Sequence, residues 1–173
     1  MKMKENNYIF KWEDLGDINI GRPNLGTKTE VLIYRLMQYS IRSAIVNNLG
    51  STKADEIFYE AGKIAGKEFF KNFIKKEMNF YELISKLEKL FIELGMGILR
   101  IEKSDMENLK FVITISEDLD CSGLPVTNET VCDYDAGFLA GIFEKYTGFN
   151  FYVKEIDCWA NGSRVCRFEV IKL

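Results

Sequence analysis

"CDYDAGFLAGIFEKYTGFNFYVKEIDCWANGSRVC", residues 132–166, changes its period halfway through. From Asp133 to Tyr146 the apolar residues Phe138, Leu139, Ile142, Phe143 and Tyr146 recur at three- and four-residue steps, which predicts a helix. Gly148 stops it. Beyond that glycine, Phe149–Trp159 and Arg164–Ile171 read as two strands around a turn at Ala160-Asn161-Gly162, a β-hairpin. A helix leading directly into an antiparallel hairpin is an α+β pattern, and it sets how the flanking segments are read.

Three helical stretches lie upstream, at about Thr29–Asn47, Ser51–Phe73 and Asn79–Leu94. Ser51 is the expected N-cap of the second, with Asp55 and Glu56 near its positive end. The third is apolar at Leu83, Ile84, Leu87, Leu90, Phe91 and Leu94. Ile98–Lys103 and Leu109–Ser116 alternate like strands, joined around "SDMEN", and Phe111, Ile113 and Ile115 share one face of the second. The GxxxG pairs Gly62/Gly66 and Gly137/Gly141 read as positions of close helix packing, not phosphate loops; no GxGxxG or P-loop pattern occurs. The order predicts an α+β fold with helices packed on an antiparallel sheet. Residues 1–20 read as an irregular arm and 21–173 as a single domain.

A chain of 173 residues fits that scheme. At this size folding buries roughly 70% of the unfolded surface, enough for a core without disulfides. Net charge is −3, and lysines interleave with glutamates as in "KEFFKNFIKKE", which disfavours nucleic acid as a partner. No apolar run reaches the ~18 residues a membrane span needs, and the first residues lack a signal-peptide apolar region, so a cytoplasmic location is expected. Thiols stay reduced there, and clustered cysteines read as metal-binding or catalytic. The chain has no histidine, which removes Ser-His-Asp and Cys-His catalysis, histidine-ligated haem and imidazole-bound zinc.

Three of the four cysteines, Cys132, Cys158 and Cys166, fall inside the opening stretch, with Glu155 beside them. Cys132 begins a helix, where the dipole favours thiolate, the ligand form. A three-residue loop with Gly162 left-handed would pair Cys158 with Arg164 and Ile156 with Cys166, placing both cysteines on one face. Glu155 and Cys158, three apart, face opposite ways on a regular strand; they share a metal only if the strand bulges between them. Spacing alone leaves two readings open: a zinc site, or small buried apolar residues.

Three segments of this region, "DCSGLP" (120–125), "VCDYDAGFLAGIF" (131–143) and "VKEIDCWANGSRVCRFEV" (153–170), resemble the 4-vinyl-reductase-type, or hydrocarbon-binding, domain family. "LGTKTEVLIYRLMQYSI" (25–41) and "FYEAGKIAGKEFF" (58–70) are similar to its first two helices, more loosely. The family includes phenol- and toluene-sensing domains of bacterial transcription activators and a protein linked to reduction of the chlorophyll 4-vinyl group. The resemblance implies a fold similar to TRAPP trafficking subunits and haem-nitric-oxide-binding domains. It also implies a structural Zn2+ held by Cys132, Glu155, Cys158 and Cys166, with Cys121 outside that set.

The chain departs from the phenol sensors, which hold the phenol hydroxyl with a histidine and a tryptophan. It has no histidine, its tryptophans are Trp12 and Trp159, and Phe111 stands where the tryptophan is expected. The expected function is therefore a zinc-containing sensor or carrier for a small apolar or aromatic ligand, with a pocket walled by Phe111, Ile113, Ile115, Phe138, Ile142 and Val153. The alternatives are a vinyl-group reductase or its accessory subunit, for which no nicotinamide or flavin fingerprint is visible, and a scaffold subunit. A homodimer is expected through the first helix, which is apolar on more than one side at Leu32, Ile33, Leu36 and Met37 and again at Tyr34, Ile41 and Ile45.

Overall fold

The computed structural model describes residues 8–75 and 77–173. Among these, five helices and four strands follow in the order α1 (Ile18–Gly21), α2 (Val31–Leu49), α3 (Ser51–Phe73), α4 (Phe80–Glu93), β1 (Ile98–Asp105), β2 (Lys110–Ser116), α5 (Asp133–Thr147), β3 (Phe151–Asp157) and β4 (Val165–Lys172). The strands form one antiparallel sheet in the order β1-β2-β4-β3. Helices thus pack on an antiparallel sheet, as the period changes predict. The arm carries more structure than expected: a 3₁₀ turn at Trp12–Leu15 and the one-turn α1, whose N-cap Asp17 accepts from the Ile20 N–H. Residues 1–7 of that arm lie outside the described residues. No described helix is long and apolar enough to cross a membrane.

The two GxxxG pairs join α3 to α5. A Cβ on Gly62 would collide with the Tyr134 carbonyl oxygen, and one on Gly66 with that of Phe138. The reverse contacts are as tight: a Cβ on Gly137 would meet the Tyr59 carbonyl oxygen, and one on Gly141 that of Lys63. The two backbones touch, and no larger residue fits between them. Lys63 and Lys67 then reach across to the nearly buried carboxylate of Glu144, each at 2.8 Å.

The other side of α5 lies on the sheet, over β3 and β4. The inward sheet face carries Phe111, Ile113 and Ile115 from β2, Phe168 and Val170 from β4, and Phe151 and Val153 from β3, all buried. α4 covers β1 with Leu83, Leu87, Leu90 and Phe91. Its start is set by a capping box: Asn79 Oδ1 accepts from the Glu82 N–H, and Glu82 accepts from the Asn79 N–H.

Two local expectations need correcting. Ser51 is not the N-cap of α3; Gly50 is, at φ 88°, because a single residue must turn the chain from α2 into α3. The hairpin register also differs. Gly162 is left-handed as expected (φ 99°), but Trp159–Asn161 forms a 3₁₀ turn, and Asp157 pairs with Arg167. Cys158 does not pair with Arg164, nor Ile156 with Cys166. Instead Cys158 leaves the ladder to cap that turn, its N–H donating to Asn161 Oδ1.

Gly66→Ala should lower the unfolding free energy by about 3 kcal/mol or more, because backbone rather than a movable side chain occupies the space. Gly21→Ala, with nothing within 4 Å of its Cβ position, should change it by less than about 0.5 kcal/mol. Urea denaturation midpoints measure both. Equal small effects would mean that α3 and α5 are not in backbone contact.

Candidate functional site

Four elements converge on the cysteines. Cys132 is the residue before α5, Cys166 lies in β4 opposite Ile115, and Cys158 caps the turn after β3. Cys121 comes from the loop after β2. All four are buried and free, with their sulfurs within 4.8 Å of one another. Cys132 Sγ is 3.8 Å from Cys158 Sγ and 3.7 Å from Cys166 Sγ, and Cys121 Sγ is 3.0 Å from Cys166 Sγ. A zinc–thiolate bond of about 2.3 Å in a tetrahedron puts sulfurs about 3.8 Å apart; the two Cys132 distances match that spacing, and the Cys121–Cys166 pair is closer. Hydrogen bonds among the thiols, led by those of Cys121, pull the Cys158 thiol far down and push Cys132 and Cys166 up.

The cluster contains Cys121, which the family pattern placed outside the ligand set. Glu155 lies one step away. Its Oε2 accepts the Cys132 N–H at 2.9 Å, capping the start of α5, while its Oε1 has no partner. The β3–β4 register shifts between Glu155 and Asp157, the bulge that turns Glu155 and Cys158 toward the same place. The clue to Cys121 was numerical. It is the fourth thiol of a chain without histidine, and four thiolates are a common structural zinc set.

Carboxylates crowd the same region. Asp118, Asp120, Asp135 and Glu155 are all buried. Burial pushes the Asp118 carboxyl up to about 7 and that of Glu155 up to about 8, and drives Asp120 upward and Asp135 well above the usual carboxylate range. Asp118, Asp120 and Asp135 were not singled out from sequence, since an isolated aspartate has no periodic signal.

This loop also holds α2. Tyr34 donates to Asp120 Oδ1 at 2.7 Å, and Tyr39 to the Asp120 carbonyl at 3.0 Å. Arg35 donates to the Leu119 and Asp118 carbonyls. Arg42 pairs with Asp55 of α3 and Asp133 of α5. Burial, with the Asp120 carboxylate beside it, pushes the Tyr34 phenol far up, so it stays a donor. Not one residue of α2 is fully buried. The helix is moored by polar contacts to the segment that carries Cys121.

Between α2 and α3, floored by Tyr134 of α5, runs an apolar cleft of about 270 Å³. Tyr34, Met37, Ile41 and Ile45 form one wall, and Ile57, Phe58 and Ala61 the other. Gln38 also lines it; its Oε1 is buried without a hydrogen-bond partner. The residues expected to wall a pocket lie elsewhere: Phe111, Ile113, Ile115, Phe138, Ile142 and Val153 are buried together in the main core. Phe111 stacks between Phe80 (4.7 Å) and Phe143 (5.2 Å), and Phe138 meets Phe69 edge-on at 5.1 Å. None of the six lines the cleft.

Known proteins share the fold. The vinyl-4-reductase domain model matches residues 111–172, from β2 through both GxxxG glycines of α5 to the end of the hairpin. The uncharacterized protein MJ1642 of Methanocaldococcus jannaschii is 34% identical over 149 residues, covering 84% of this chain and 80% of its own. A vinyl-4-reductase family protein of the same organism has a crystal structure that superposes with a TM-score of 0.64 at 23% identity, over 96% of this chain and 99% of that one. The phenol-responsive sensory domain of the transcription activator PoxR, solved with phenol, gives 0.64 at 15% identity, over 85% and 76%. A trafficking protein particle complex subunit 3 from Naegleria fowleri, covalently bound to palmitic acid, gives 0.61 at 11% identity, over 83% and 97%. The fold is thus the one the resemblance implies, and the chain belongs to the vinyl-4-reductase domain family.

Proposed function

We propose that the protein is a metal-stapled ligand-binding domain whose cleft between α2 and α3 takes a small, mostly apolar molecule. One observation carries this reading. The cleft is lined by the same helix that is moored, through Tyr34, Arg35 and Tyr39, to the loop of the cysteine cluster. A molecule entering the cleft touches Tyr34 directly and so acts on that mooring. The cleft's apolar lining suits a hydrocarbon or aromatic body. About 270 Å³ lies just below the usual range for ligand sites, which limits the occupant to a small molecule. The related sensory domain solved with phenol supports a sensor role over an enzymatic one.

The metal of this reading is zinc, held by Cys121, Cys132, Cys158 and Cys166. Glu155 orients Cys132 by accepting its N–H. A full shell of four thiolates leaves no open position, so the ion is structural. It fastens loop, helix and hairpin at one point, and its binding energy is folding energy.

Signalling out of such a domain needs a surface, and α2 supplies one. Leu32 is 74% exposed and Leu36 65%, with Ile33 and Met37 beside them. This apolar strip is best explained by pairing with a second copy of the chain.

Three outcomes follow. Elemental analysis of protein purified in reducing buffer should find zinc, and Cys121→Ser and Cys166→Ser should lower the melting temperature of the metal-loaded protein by similar amounts, with Glu155→Gln costing less. A Cys121→Ser protein as stable as the parent would remove Cys121 from the ligand set. Native mass spectrometry after soaking the protein in a crude lipid and metabolite extract should detect a retained small molecule that Ala61→Phe, which fills the cleft, no longer holds. Retention unchanged by Ala61→Phe would place the ligand elsewhere. Light scattering at micromolar concentration should give about twice the 20.0 kDa chain mass, and Leu32→Glu with Leu36→Glu should halve it; a parent that is already monomeric sinks the pairing of α2.

A further inference from the structure

We propose that the cluster is a two-cation centre: beside the four-thiol site, Asp118, Asp135 and the Cys132 thiolate hold a second divalent cation of the zinc class. This rests on the four-thiol reading and extends it.

The geometry comes first. One carboxylate oxygen from Asp118, one from Asp135 and the Cys132 sulfur lie within 4.8 Å of one another, all three residues buried. Asp135 is only 9% exposed, and its Oδ2 has no hydrogen-bond partner. It belongs to the first turn of α5, so its position is fixed by a helix whose backbone is locked against α3. Asp118 is 2% exposed and is fixed by its own loop, its Oδ1 accepting the Asp120 and Cys121 N–H groups at 2.8 and 3.1 Å. Two preset carboxylates and a sulfur already shared with the first site make a half-built coordination shell.

Charge gives the second argument. One divalent ion among four thiolates leaves two negative charges, and Asp118 and Asp135 adjoin them in a buried region. Burying unpaired charge is expensive, and a native structure answers it with a partner, a proton or an ion. The two arginines of α2 are already committed: Arg35 to the Leu119 and Asp118 carbonyls, and Arg42 to Asp55 and Asp133. A second divalent cation offsets two of these four negative charges, and the N–H groups of Asp120 and Cys121 donating to Asp118 ease the rest. Its two oxygens and one sulfur select a zinc-class ion over magnesium or calcium, which take oxygen alone. Three protein donors leave room for a water, and a bridging sulfur would hold the two ions about 3.5–4 Å apart.

The rival account is a proton shared between Asp118 and Asp135. The two differ in stoichiometry. The full chain, stripped of metal by a chelator under reducing conditions and then titrated with ¹¹³Cd²⁺, should saturate at two ions per chain. Cadmium NMR should show two resonances, one far downfield from the all-thiolate site and one well upfield of it. Asp135→Asn, nearly the same size and shape, should lower the count from two to one and remove only the upfield resonance. Asp118→Asn should do the same. Saturation of the wild type at one ion with a single downfield resonance overturns the second site and leaves the four-thiol site standing; no bound ion overturns both. Retention of two ions by both variants also overturns it. The wild-type count decides the matter even if neither variant folds.

Discussion

The contact on which the rest of the structure depends is the crossing of α3 and α5. Four glycines let the backbones touch there, so the carbonyls of Tyr59 and Lys63 on α3, and of Tyr134 and Phe138 on α5, approach where a Cβ would stand on the other helix. Dispersion forces at backbone distance and the paired lysines on Glu144 hold the two helices as one unit. That unit has two working faces. One lies on the sheet and completes the core through Phe138, Leu139, Ile142 and Phe143. The other, through Tyr134 and Phe58, floors and walls the cleft that α2 covers.

The crossing also positions the cysteine cluster. Cys132 and Asp135 belong to the start of α5, so the seating of that helix sets where the Cys132 sulfur lies. The other three thiols arrive from a loop, a 3₁₀ turn and β4. A cation suits such a place because it draws donors together from any direction and needs no continuous packing.

α2 is built differently from the other long helices. It buries none of its residues completely, and its links to the domain are hydrogen bonds and ion pairs from Tyr34, Arg35, Tyr39 and Arg42. Such contacts are individually modest and directional. The cleft, the cysteine loop and the exposed apolar strip all meet on it.

Most of the architecture was legible in the sequence because it depends on local periods. Apolar residues at steps of three and four marked α4 and α5, alternation marked β2, and the GxxxG spacing marked the helix crossing, since only close backbone approach uses glycines that way. The missing histidine limited the chemistry to thiolates and carboxylates. What the sequence could not decide is what depends on meeting in space. That Cys121 joins the other thiols, that Glu155 turns to the Cys132 amide, and that Asp118 faces Asp135 depend on a strand bulge and on where a loop crosses the end of a helix. The same holds for the apolar residues of β2: they look like a pocket wall in one dimension, and in space rings of α4 and α5 stack on Phe111. Periodicity reports which way a side chain faces; only the tertiary structure decides what stands opposite it.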